Sequence, residues 1–215
     1  SIIELDNGIA KNRALLDNVF SLFVAINNKV PIFIVGKPGC SKSLSVQLIN
    51  NAMKGKDSSS SLFKEYPKLI LNAYQGSTAS SSEGVKKVFV KARNILKGLG
   101  PEDLEKNISM IFFDEMGLAE HSPKNPLKVI HSELEYDLNE GYKKVAFVGI
   151  SNWALDASKM NRGLNLSIPE PEEDDIKITA YTIGESYDEI LAIENRELYE
   201  NLGLAYYKYK NDNNR

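Results

Sequence analysis

The run from Pro31 to Met53, PIFIVGKPGCSKSLSVQLINNAM, constrains this chain more than any other stretch. It opens with a short, unbroken apolar run, PIFIVG, rich in β-branched side chains. A strand of that kind is covered on both faces, as in a parallel sheet. A glycine-bearing turn follows, and then an amphipathic run, Leu44 to Met53, that reads as a helix. Strand, glycine turn and helix in that order leave the first N–H groups of a helix open at a sheet edge. Such a place attracts anions, and glycine lets a ligand come close to the backbone.

The turn itself is Gly36, Lys37, Pro38, Gly39, Cys40, Ser41, Lys42 and Ser43, with Leu44 opening the helix. It reads as a phosphate-binding loop of the GxxxxGK[ST] type, in the context that loop requires. Lys42 would reach the β- and γ-phosphates of a nucleotide, and the Ser43 hydroxyl would hold Mg²⁺. One position departs from the pattern, because Ser41 stands where the second glycine belongs. Its Cβ restricts the loop, and its hydroxyl adds a hydrogen-bond donor. The competing reading is a glycine turn that binds nothing.

Two later strand ends agree with the phosphate reading. Ile108 to Phe113 is a buried-strand pattern that runs into Asp114 and Glu115. Ligands of open parallel sheets bind at the carboxyl ends of the strands. There Asp114 would coordinate Mg²⁺ and Glu115 would act as general base on a water. The competing reading is a strand running out to solvent. Lys144 to Gly149 begins another buried strand, and VAFVGISN ends it at Asn152. Asn152 would orient the attacking water and sense the γ-phosphate; its alternative is a turn or helix cap.

Around these points the chain alternates helix and strand. Leu15 to Ile26 reads as a helix, Lys68 to Leu71 as a second strand, and Glu83 to Leu96 as a helix capped by Ser82. Pro126 to Leu138 reads as a helix and Leu164 to Ile168 as a weak fifth strand. That alternation predicts βαβ units and an α/β body with a five-stranded parallel sheet over residues 1–168. PEPEEDD, Pro169 to Asp175, is a proline-acidic hinge. Residues 169–215 show only helical periodicity, from Ile176 to Ile183 and from Tyr187 to Leu204, with a fraying end from Tyr206.

Composition narrows the partners. Lys and Arg number 26 and Asp and Glu 29, a net charge of −3, which speaks against nucleic acid and anionic lipid. No stretch is apolar enough to span a membrane. Cys40 is the one cysteine, so no disulfide forms within the chain, and a reducing, cytoplasmic setting fits. His121 and His131 lack the company of metal ligands. Cys40 lies beside a helix start, a setting that invites a nucleophile reading; without a catalytic partner it reads as loop structure, still open to modification. Trp153 is expected under the active-site loop, and Tyr206, Tyr207 and Tyr209 in core or inter-module packing. The chain begins at Ser1, as a piece of something longer would.

The loop, the Asp-Glu strand end and the Asn strand end, in this order, resemble those of the AAA+ ATPases. IPIFIVGKPG-type turns with CSKSLS, then YQGS, FFDEMGLAEHSPKNPLKVIHSELE and FVGISNWALDASKMNRG are similar to an AAA+ module of the mysterin family, giant RING-type E3 ubiquitin ligases. The likeness covers roughly Asp6 to Tyr187. It implies a P-loop NTPase fold followed by the start of a helical lid, and ATP or ADP with Mg²⁺ as ligands. In that family, serine at the position of Ser41 is an expected variant. The resemblance makes Lys42 and Ser43 the Walker A pair, Asp114 and Glu115 Walker B, and Asn152 sensor 1. Arg162 falls where an arginine finger acts on a neighbouring module; its alternative is an ion pair with Glu170 or Glu172. Ile9 and Ala10 fall where adenine is contacted. The loop Gln75 to Ser82 lacks the aromatic-apolar pair of threading motors, Tyr74 excepted. Arg196, Lys208, Lys210 and Arg215, the basic residues after Asp188, sit in no sensor 2 motif, so the lid is expected to stop short. Expected partners are neighbouring AAA+ modules and, through a parent chain, ubiquitin-pathway proteins. The rival of hydrolysis is a structural module that holds nucleotide without cleaving it; a nucleic-acid motor is disfavoured by charge.

Overall fold

The computed structural model describes residue 3, residues 5–139 and residues 144–213. Arg215 therefore lies outside the described residues. The order of elements is α1 (Arg13–Asn27), β1 (Ile32–Val35), α2 (Lys42–Ala52), β2 (Lys68–Gln75), α3 (Ser82–Lys97), α4 (Pro101–Glu105), β3 (Asn107–Asp114), α5 (Met116–Glu120), α6 (Lys128–Asn139), β4 (Ala146–Ser151), α7 (Ala157–Met160) and β5 (Leu164–Ser167). Three helices close the chain: α8 (Glu173–Tyr187), α9 (Glu189–Glu194) and α10 (Arg196–Asn213).

The strands form one sheet in the order β2-β3-β4-β1-β5, and every neighbouring pair is parallel. The expected α/β body is thus present. Strand alternation sends Ile32 and Ile34 to one face and Phe33 to the other, and divides Val148 from Phe147 likewise. One face packs on α1 and α2 through Leu22, Ile26, Val46 and Ile49. The other packs on α3 and α6 through Val85, Phe89, Leu96 and Ile130. Phe147 sits at the centre of that second layer, stacked on Phe89 at 5.9 Å between ring centroids. With both faces covered, the central strands β1, β3 and β4 need no polar side, which explains their apolar runs.

Several boundaries moved from those expected. Asn12, whose side chain accepts from the Leu15 N–H, caps α1 and starts it before Leu15. Ser81, not Ser82, caps α3, accepting from Gly84. β2 runs on to Gln75 because it pairs with the whole of β3. α2 begins at Lys42 rather than Leu44. At the C-terminal end, among the described residues, helix stands where fraying was expected: α10 continues through Asn213, held along α8. The long helix expected from Tyr187 to Leu204 is broken at Asn195 into α9 and α10. The acidic hinge serves as a cap, since Glu172 and Asp175 satisfy each other's backbone N–H groups at the start of α8.

The parallel arrangement brings the carboxyl ends of β1, β3 and β4 to one edge. Val35 lies opposite Ser151, and Phe113 opposite Gly149. The Gly36 N–H, first past β1, donates to the Ser151 carbonyl at 3.2 Å.

Candidate nucleotide site

The loop after β1 turns on two left-handed residues. Gly39 has φ 87°, with open space where a Cβ would stand. Ser41 has φ 56° and ψ 21°, and is the residue before the first turn of α2. Left-handed backbone costs a non-glycine residue roughly 1 kcal/mol. Ser41 therefore does the conformational work of the glycine it replaces, at some strain. Among the described residues, no side chain caps α2. Its leading N–H groups are left to face the loop, where an anion is favoured by the helix dipole.

Lys42 is buried, and its ammonium donates to the Gly36 carbonyl at 2.5 Å and the Lys37 carbonyl at 2.8 Å. Burial lowers its pKa below the ordinary lysine value of 10.5, while Cys40, Glu115 and Asp114 act to raise it. The Ser43 hydroxyl donates to Asp114 Oδ2 at 3.4 Å, so the start of α2 faces the end of β3. Asp114 Oδ1 accepts the Glu115 N–H at 2.9 Å. Glu115 is itself left-handed, at φ 52°, and its carbonyl occupies the space a Cβ at Gly76 would need, 2.2 Å away. Gly76, just past β2, is thus a position where close backbone approach demands glycine. Asn152, just past β4, donates from Nδ2 to Glu115 Oε1 at 3.2 Å and Oε2 at 3.0 Å. Ser43, Asp114, Glu115 and Asn152 form one connected group across the start of α2 and the ends of β3 and β4, and Lys42 lies within its field.

A cavity of about 500 Å³ opens beside this group. Ile9 and Ala10 line it, as do Pro38, Gly39 and Ser41 of the loop and Leu44 of α2. The opposite wall comes from α8 and α10, including Ile176, Leu202, Tyr206 and Lys210. Sequence reading missed that wall. Tyr206 lines the cavity and is exposed, so it is not a core residue. Lys210 bonds Glu170 at 2.9 Å, and Glu170 also pairs with Lys37. No local pattern signals this tie, because its three members lie on the loop, the hinge and the last helix.

Other expected residues are placed differently. Arg162 pairs with Glu135 at 2.7 Å, not with Glu170 or Glu172, because the turn after α7 lies against α6. It sits at the start of β5, the sheet edge opposite Lys42, since Leu164 is in register with Ile32. Cys40 is 3% exposed, so the thiol expected to be open to modification is shielded. Tyr74 packs edge-on against Phe113 at 4.9 Å rather than on the loop that follows. The Trp153 ring lies over Gly117, 5.8 Å from the His121 ring, beside the strand ends.

The sheet order, the loop after β1 and the acidic end of β3 define a P-loop NTPase body of the AAA+ type, with a helical layer beside it. Comparison with solved structures agrees: the Aeropyrum pernix ORC2 protein, solved as ADPNP–ADP complexes, superposes with a TM-score of 0.60 at 13% identity, over 85% of this chain and 54% of that one. At that identity the likeness concerns the fold. The sequence places the chain more narrowly. The RNF213 AAA domain family matches residues 8–175, and the chain belongs to it. The E3 ubiquitin-protein ligase rnf213-beta of Danio rerio is 43% identical over 194 residues, 88% of this chain and 4% of that protein. The human E3 ubiquitin-protein ligase RNF213 is 43% identical over 178 residues, 81% of this chain and 3% of that protein. The chain thus corresponds to a few per cent of the length of these relatives. Among the described residues, no helix is long and apolar enough to cross a membrane.

Proposed function

We propose that this chain binds ATP and ADP with Mg²⁺ and hydrolyses ATP as one AAA+ module of a larger ubiquitin-ligase-type protein. The observation that carries the reading is the convergence of Lys42, Ser43, Asp114, Glu115 and Asn152 next to a cavity of about 500 Å³ that the flanking Ser41 and Leu44 line. The phosphates take the loop N–H groups and the Lys42 ammonium, and the base lies against Ile9 and Ala10. Ser43 and Asp114 present two oxygens to each other at 3.4 Å, a donor pair that suits a hard divalent cation. When bound, Mg²⁺ supplies charge neutralisation at the β- and γ-phosphate oxygens.

Glu115 accepts a proton from the attacking water, whose oxygen bonds to the γ-phosphorus as the bond to the β–γ bridging oxygen breaks. The products are ADP and phosphate. Asn152 holds Glu115 and, on turning, the water. Arg162 lies far from this chain's own loop, which suits a role on a neighbouring module. Residues 169–215 act as the lid that closes the base cavity.

One observation favours a second reading, a module that keeps nucleotide without turning it over. Both Glu115 oxygens are engaged by Asn152, so the base rests in a held position. The test is a titration of the purified chain with ADP and with ATP, Mg²⁺ present, followed by phosphate release. Binding with slow release supports the proposal. Binding with release indistinguishable between the native chain and Glu115→Gln supports the structural reading. No binding at millimolar nucleotide overturns both.

A further inference from the structure

The inward face of α1 carries Leu15, Leu22, Ala25 and Ile26, and in that stripe stands Asn18, 1% exposed. A buried amide costs stability unless its hydrogen bonds are made. Asn18 Nδ2 donates to the Cys40 carbonyl at 3.2 Å. That carbonyl belongs to the peptide unit leading into left-handed Ser41. In a trans peptide the C=O and the following N–H point in opposite directions. Drawing the Cys40 oxygen back toward α1 therefore turns the Ser41 N–H away from Asn18.

We propose that Asn18 is a positioning residue of the phosphate loop: it locks the Cys40–Ser41 peptide so that a serine can hold the left-handed conformation and offer its N–H to a phosphate. This rests on the nucleotide reading above. It also explains how the loop works without the glycine its pattern calls for. A glycine would reach the left-handed region unaided. A serine needs an outside restraint, and α1 supplies it.

The inference makes Asn18 and Ser41 energetically coupled, which a double-mutant cycle measures. Four proteins are compared: the native chain, Asn18→Leu, Ser41→Gly and the double variant. Each is titrated with ADP in the presence of Mg²⁺ and melted without it. In the Ser41 background, Asn18→Leu is expected to weaken ADP binding about tenfold, the scale of one hydrogen bond. In the Ser41→Gly background the same change is expected to cost about threefold or less, so that glycine rescues the loss. Asn18→Ala serves as the second truncation if the leucine variant does not fold.

Equal losses in both backgrounds, or no loss in either, overturn the proposal; a merely structural Asn18 lowers the melting temperature alike in the native and Ser41→Gly backgrounds and leaves the affinity ratio at one. If the native chain takes no ADP, the nucleotide reading fails by itself. The melting temperatures then still decide the coupling: sub-additive shifts support the restraint, and additive shifts refute it.

Discussion

Asn152 donates from one amide nitrogen to both carboxylate oxygens of Glu115, joining the end of β4 to the residue after β3. A carboxylate held this way is aimed, with both of its oxygens engaged. Release of that grip is the step that would free Glu115 to take a proton. Glu115→Gln is expected to keep ADP affinity within about twofold and to lower phosphate release by at least about a hundredfold, the usual worth of a general base. Asn152→Ala is expected to lower release as well, by misdirecting Glu115. Single-turnover measurements with ATP check both.

Lys42 gives a pH signature. Burial sets its pKa below 10.5 in the free protein, and bound phosphate favours the ammonium form. Affinity for ADP is expected to stay level while both states carry the ammonium. It should fall as pH rises through the lowered value, before the ordinary lysine range is reached. In Lys42→Ala that alkaline limb should be missing and affinity at neutral pH reduced. Titrations across the alkaline range check the sign.

The Arg93–Glu133 pair tests the packing of α3 on α6. Both side chains are 10% exposed, and Arg93 also donates to the Glu133 carbonyl at 2.8 Å and lies over the Phe89 ring. Removing one partner leaves a buried charge. Glu133→Ala is therefore expected to cost about 3–5 kcal/mol by denaturant unfolding. A joint replacement by apolar residues of similar volume should recover most of it.

Glu170 bridges Lys37 of the phosphate loop and Lys210 of α10. Exposed ion pairs contribute little to global stability. Glu170→Gln is expected to leave the melting temperature unchanged while raising amide exchange at the end of α10. Exchange in β1, β3 and β4 should stay as it is. Hydrogen-exchange mass spectrometry separates the two outcomes.

Much of the site was legible from residue order. The run PIFIVG, the turn around Gly39 and the two strand ends at Asp114 and Asn152 are local patterns, and a strand end in a parallel sheet has a known place. The five strands and the longer helices of the body, α1, α2, α3 and α6, followed from hydrophobic periodicity, whereas the short α4, α5 and α7 did not. The partner of Arg162 was not legible, because Glu170 and Glu135 are equally acidic in a sequence and only docking on α6 chooses between them. The extent of α10 was missed for a similar reason: its polar end carries no apolar period, and contact with α8 holds it.

What the sequence determined by itself was the set of local commitments: where the chain must be strand, where glycine must turn, and which charged residues stand at strand ends. Periodicity, propensity and turn chemistry act over a few residues, so they are written in neighbouring letters. What only the tertiary structure decided was who restrains whom. Asn18 reaches Cys40 across 22 positions, Asn152 reaches Glu115 across 37, and Lys37 meets Glu170 across 133. Such pairs exist because the packing of helices on the sheet fixes directions in space, and no local pattern encodes a direction.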